Sequence, residues 1–141
     1  MKTPKVVLFV FAVVSLLTAD LFALGEDVSP ESTEAVRIVA AKEKLVQESD
    51  TVVLYAKGLC CPSCSIGVRK MVSRLDFVDR KRFNKGVELD TKTQLISVAL
   101  LESKEADFDS LSEAITDAGY DPVRSYSLVG GELQTNSLIS K

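Results

Sequence analysis

Between residues 50 and 128 short strand-like runs and stretches of 3.6-residue apolar period follow one another, and their order restricts the fold more than any other feature. The run "TVVLYAK" (51–57) is β-branched and aromatic and has strand length, and Gly58 ends it. Pro62 then opens a predicted helix in which Cys64, Val68, Met71, Val72 and Leu75 recur at i, i+4, i+7, i+8 and i+11. A polar and basic connection, "DFVDRKRFNKG", leads to "VELD" and "LISVAL", two strands joined by the turn residues Asp90 to Gln94. Alternation puts Val87 and Leu89 on one face with Ile96, Val98 and Leu100. In "ADFDSLSEAITDAG", Asp107 is the expected N-cap, Phe108, Leu111, Ile115 and Ala118 form a helical stripe, and Gly119 stops the helix. "DPVRSYSLV" supplies a last strand. The order β-α-β-β-α-β predicts an α+β, ferredoxin-like sandwich, with two helices on one face of a four-stranded antiparallel sheet.

The flanks read differently. Lys2 and Lys5 precede an apolar run from Val6 to Ala19, and Ala23-Leu24-Gly25 places small residues where a signal peptidase cuts. Asp20 ends the apolar run short of a comfortable membrane span, so cleavage is expected over retention as an anchor. Residues 1–25 are therefore expected to be a signal peptide, and the protein periplasmic or otherwise exported. Residues 26–49 are expected to be a helical or flexible extension, starting at Ser29 and Pro30 with Val36, Val39 and Ala40 as a weak apolar stripe. The domain proper spans 50–128, and 129–141 is expected to be a flexible tail.

All three cysteines, Cys60, Cys61 and Cys64, fall within five positions, and the chain has no histidine. Without histidine the commonest general base and every Cys/His zinc pattern are lost, and no Gly-rich phosphate loop or G-x-S-x-G elbow is present. A net charge of −3 gives no footprint for nucleic acid. Three cysteines so close together staple almost nothing, which leaves the thiols for chemistry. The N-terminus of the helix that follows offers unbonded N–H groups and a positive dipole end, both of which favour thiolate over thiol. Two such thiolates suit one soft, d¹⁰ cation such as Cu(I).

"GLCCPSC" resembles the G-M-x-C-x-x-C signature of heavy-metal-associated domains, with Gly58, Cys61 and Cys64 in register, and "DAGYDP" resembles their A-G-Y segment at Gly119 and Tyr120. The likeness spans residues 50–128; the family includes periplasmic mercury-binding proteins, copper chaperones and the metal-binding modules of P-type ATPases. The resemblance implies a monomeric, non-enzymatic carrier that binds one soft ion, Cu(I) or Hg(II), at Cys61 and Cys64 and delivers it to a membrane metal transporter or P-type ATPase. It also implies that Tyr120 lies beside the site and limits water access. Three departures stand out: Leu59 in place of methionine, Cys60 in place of Thr, Ser or His, and a longer connection over 76–86. Leu59 conserves volume for a residue that anchors the loop. A third thiolate at Cys60 would suit Zn(II) or Cd(II), but neighbouring side chains at a strand end point apart. Cys60 is therefore expected to be a bystander or weak third ligand, with Zn(II) and Cd(II) ranked below Cu(I) and Hg(II).

The rival reading is a glutaredoxin-like thiol-disulfide oxidoreductase, because "VVLYAKGLCCPSC" also resembles the strand and C-P-x-C start of that family. It needs a later β-α unit and a T-V-P-type turn, whereas a strand hairpin follows the first helix and Pro122 is the sole later proline. Arg69, Lys70, Arg80, Lys81, Arg82 and Lys85 form a basic run that is expected to be solvated surface.

Overall fold

The computed structural model describes residues 32–138, with the backbone but not the side chain of Cys64. The expected signal and the expected helix start at Ser29 and Pro30 lie outside the described residues. In chain order the elements are α1 (Glu34–Gln47), β1 (Thr51–Lys57), α2 (Cys64–Val72), β2 (Val87–Asp90), β3 (Leu95–Ala99), α3 (Phe108–Asp117), β4 (Asp121–Val129) and β5 (Glu132–Ser137). The strands form one sheet in the order β2-β3-β1-β4-β5, and every neighbouring pair is antiparallel. β1 to β2 through α2, and β3 to β4 through α3, each cross one intervening strand. The β1-to-β4 portion is therefore the ferredoxin-like arrangement, with a fifth strand added at one edge.

β1 lies in the middle and is buried from Thr51 to Ala56. Its alternate side chains enter two different cores. Val52, Leu54 and Ala56 join Val68 and Val72 of α2, Leu111 and Ile115 of α3, and Val87, Ile96 and Val98 of the hairpin. Val53 and Tyr55 point the other way and pack with Ala41 and Leu45 of α1, Leu95 and Tyr126. The sheet is thus covered on both faces, which explains why all five residues of β3 are buried instead of alternating.

α1 differs from expectation in its buried face. Val36 and Val39 are exposed, and the residues facing the sheet are Arg37, Ala41 and Leu45, spaced at i, i+4 and i+8. Thr33 caps the helix by accepting from the Val36 N–H. The 129–141 segment, expected to be a flexible tail, contributes β5, whose residues 132–137 pair with Val129 back to Arg124. Its side chains are mostly exposed and polar, so the backbone ladder to β4 carries it.

The long connection after α2 is partly core. Phe77 and Val78 are buried, Leu101 N–H donates to the Phe77 carbonyl at 2.9 Å, and Asp79 N–H to that of Ala99 at 2.9 Å. Gly86 has φ +84°, and a Cβ there would lie 2.4 Å from Val78 Cγ1 and 2.9 Å from the Asp79 carbonyl oxygen, so only glycine fits. Arg82, expected to be solvated, instead ties the connection to the α1–β1 corner through Glu48 Oε2 at 2.9 Å, Thr51 Oγ1 at 3.2 Å and the Asp50 carbonyl at 3.2 Å. Asp107 caps α3 as expected, and its hydrogen bonds from the Ser110 hydroxyl and N–H, with a further one from Asp109 N–H, hold its carboxyl below the usual value. Among the described residues no helix is long and apolar enough to cross a membrane.

If α1 is an integral layer, Leu45→Ala, at a site only 5% exposed, should lower the unfolding free energy by about 2–5 kcal/mol. Val39→Ala, at a site 57% exposed, should change it by less than about 0.5 kcal/mol. Urea unfolding measures both, and equally small effects would show that α1 does not cover the sheet.

Candidate functional site

The cysteine segment leaves the sheet where β1 runs out of neighbours. Gly58 has φ +85°, a left-handed value that turns the chain out of the strand, and Cys60 N–H donates to the Gly58 carbonyl at 3.0 Å. The turn sends Leu59 inward, where it is fully buried beneath α2 and α3. With Leu59 inward, Cys60 is exposed and Cys61 half-buried. The loop is therefore anchored at its base while Cys60 is open to solvent and Cys61 partly so.

The helix starts two residues later than Pro62 would place it. Ser65 N–H donates to the Pro62 carbonyl at 3.2 Å and Ile66 N–H to that of Ser63 at 3.3 Å, which makes the entry a 3₁₀-type turn, and α2 begins at Cys64. Ser63 occupies the cap position but makes no side-chain cap hydrogen bond, and the first turn carries no acidic residue. The positive end of the helix is thus left uncompensated by protein carboxylates, a favourable place for negative charge on sulfur. Arg69 and Lys70 lie in the last turn, where cations suit the opposite end of the dipole.

Serines make contacts here that the cysteine spacing did not suggest. The Ser63 hydroxyl lies 3.2 Å from Cys61 Sγ, in position to donate to a thiolate. The buried Ser65 hydroxyl donates to the Pro62 carbonyl and accepts from Arg69 Nη1 at 2.8 Å, while Arg69 Nε donates to the Val87 carbonyl at 3.3 Å. Arg69 is accordingly a brace between the first turn of α2 and the edge strand β2. A polar residue at i+4 from a helix-entry serine is the only trace of this in the sequence, and it is weak.

Tyr120 comes to the loop from the far side of the sequence. Gly119, at φ +92°, closes α3, and Tyr120 N–H donates to the Ile115 carbonyl at 3.2 Å. The half-buried Tyr120 ring lies beside Gly58: a Cβ built on Gly58 would be 3.6 Å from Tyr120 Cδ1. Gly58, Leu59 and Tyr120 thus meet at the base of the loop carrying Cys60, Cys61 and Cys64. Among the described residues no three Cys, Asp or Glu side chains come together as a metal cluster. Lys70, Arg74, Arg80 and Lys85 surround a shallow groove with the exposed Ile66.

No family model matches the chain, and no curated protein matches it. Among solved structures it is similar to a "CopZ metallochaperone", at 26% identity over 52% of this chain and 98% of that one, with a TM-score of 0.42. It is also similar to the yeast copper transporter domain Ccc2a, solved in solution in the apo and Cu(I)-loaded states, at 25% identity over 51% of this chain and 89% of that one, with a TM-score of 0.41.

The anchoring role of Leu59 has a direct test. Leu59→Met should cost less than about 1.5 kcal/mol because volume is kept, whereas Leu59→Ala should cost about 2–5 kcal/mol. Chemical unfolding that found the two substitutions equally mild would contradict the packing described for this residue.

Proposed function

We propose that this chain is a soft-metal carrier: it binds one Cu(I) or Hg(II) ion through the thiolates of Cys61 and Cys64 and hands it to a membrane metal transporter. The observation that supports this most is the seat of the C-x-x-C pair, an outward turn between the buried central strand and the uncapped start of α2. Fixed backbone dipoles stabilise the sulfur anions there, and the outward position lets a partner approach. Transfer then needs only ligand exchange: a thiolate of the acceptor adds to the ion, one cysteine of this chain leaves, and the second exchange completes the handover. No bond to carbon changes and no electron moves, so the chain acts as carrier and not as enzyme.

Soft thiolate donors favour Cu(I) and Hg(II) over hard cations. Zn(II) and Cd(II) prefer four ligands, and the segment holds three cysteines at most. Cys60 leaves the strand end on the solvent side while Leu59 turns in, in keeping with a bystander or weak third ligand. Delivery outside the cytoplasm rests on the sequence of residues 1–25. The oxidoreductase reading draws no support from the sheet, in which all strand pairs are antiparallel, or from Pro122, which is buried in β4 opposite Ala56.

Competition titrations of the fully reduced protein test the assignment. Cys61→Ser and Cys64→Ser should each weaken Cu(I) or Hg(II) binding by more than the ~100-fold that outer-shell substitutions reach, while Cys60→Ser should cost less than about tenfold. Equal losses in all three would make Cys60 a full ligand. Glutathione-dependent disulfide reduction by the wild-type chain would overturn the carrier reading.

A further inference from the structure

A second polar site lies on the sheet face covered by α1. Between the first turns of α1 and strands β1 and β4 there is a cavity of about 330 Å³ whose wall includes Ser32, Arg37, Lys57, Arg124 and Tyr126. Arg37 is 9% exposed, and its guanidinium stays charged at any working pH. Among the described residues its partners are all neutral: the Ser32 carbonyl, Gln94 Oε1 at 3.5 Å, and the Tyr55 ring, whose centroid is 3.8 Å from Cζ. Arg37 Nε is buried with no hydrogen-bond partner. A buried cation bonded only to neutral groups is costly, and native structures normally pair it with an anion.

The same wall carries two more buried polar atoms without a well-aligned hydrogen bond among the described residues, the hydroxyls of Ser32 and Tyr126. Tyr126 is 1% exposed. Burial raises its phenol above the ordinary value; Arg124 and Arg37 oppose that shift, and Glu34 adds to it. The phenol therefore stays protonated at neutral pH and available as a donor, with both guanidinium groups near it. Arg124, whose Nη1 is engaged by Glu34, lies beside the hydroxyl at less than full hydrogen-bond geometry and helps to oppose the upward shift. Among the described residues Glu34 supplies the one carboxylate on the wall, against the three cations Arg37, Lys57 and Arg124. Water could satisfy a hydroxyl, but it cannot balance that excess of positive charge.

We propose that this cavity binds a small oxyanion, a phosphate or a compact carboxylate, with Arg37 Nε and the Tyr126 hydroxyl as donors and Lys57 and Arg124 supplying attraction at the mouth. The site lies on the opposite sheet face from α2 and α3, so it is independent of the cysteines. Binding stabilises the folded state by RT ln(1 + [L]/Kd), because the unfolded chain has no such constellation.

Thermal unfolding of the full chain, titrated separately with sodium phosphate and sodium succinate against chloride at matched ionic strength, tests the proposal. A Tm that rises with the logarithm of the concentration of either anion, and does not rise in chloride, is the expected result, and the stronger responder identifies the class. Tyr126→Phe should weaken the response about tenfold, the usual effect of losing a hydrogen bond to a charged group. Arg37→Met should abolish it while leaving the Tm in chloride unchanged or higher, since an unpaired buried charge is removed. Lys57→Gln, at an exposed position, should weaken binding without altering the chloride Tm. A wild-type response no larger than that in chloride, or one that survives both Tyr126→Phe and Arg37→Met, would overturn the site.

Discussion

β1 is the element on which everything else is built. It is hydrogen-bonded to β3 on one side and β4 on the other, and its two faces serve two separate cores. A strand held in four directions has almost no freedom to slip, since a one-residue shift would exchange Val53 and Tyr55 with Val52, Leu54 and Ala56 between the cores. That rigidity extends to its end. Gly58 and Leu59 follow directly, so the cysteine turn inherits a fixed starting point and a fixed anchor in the core. On the proposed function, a fixed start and a fixed anchor suit a loop that must hold an ion and still let a partner take it.

The second consequence of burying both faces of β1 is the role of α1. A ferredoxin-like domain with helices on one side leaves its other sheet face to solvent, and here that face carries Val53, Tyr55, Leu95 and Tyr126. α1 covers them with Ala41 and Leu45, and it does so while burying an arginine. Stacking of Arg37 on Tyr55 accounts for the aliphatic stem and the flat face of the guanidinium, but not for its charge. The cover and the cationic cavity therefore arise from the same helix placement. One half of α1 closes a hydrophobic gap while its first turns create a polar one.

Much of this was legible in the residues. The strand-like runs at 51–57, 87–90 and 95–100 became β1, β2 and β3, and the Asp107 cap and Gly119 stop bounded α3. What the pattern missed has identifiable causes. The α1 stripe drawn through Val36, Val39 and Ala40 fails because its buried face includes an arginine, which a hydropathy reading assigns to solvent. β5 reads "ELQTNS", with no apolar alternation, since an edge strand held by backbone bonds does not need it. Phe77 and Val78 sit within a run of charges that masks their burial. At the site, the Ser63 and Ser65–Arg69 contacts depend on a 3₁₀ entry to α2 that the Pro62 signal did not predict.

The account stands or falls on whether a thiophilic ion enters at the end of β1. Amide spectra of the reduced, ¹⁵N-labelled protein, recorded through a titration with Cu(I) or Hg(II), show this residue by residue. The account predicts saturation at one equivalent, with the largest shifts between Gly58 and Val68 and at Tyr120, and little change in α1 or β5. Absence of saturable uptake, or shifts centred away from that loop, would contradict it.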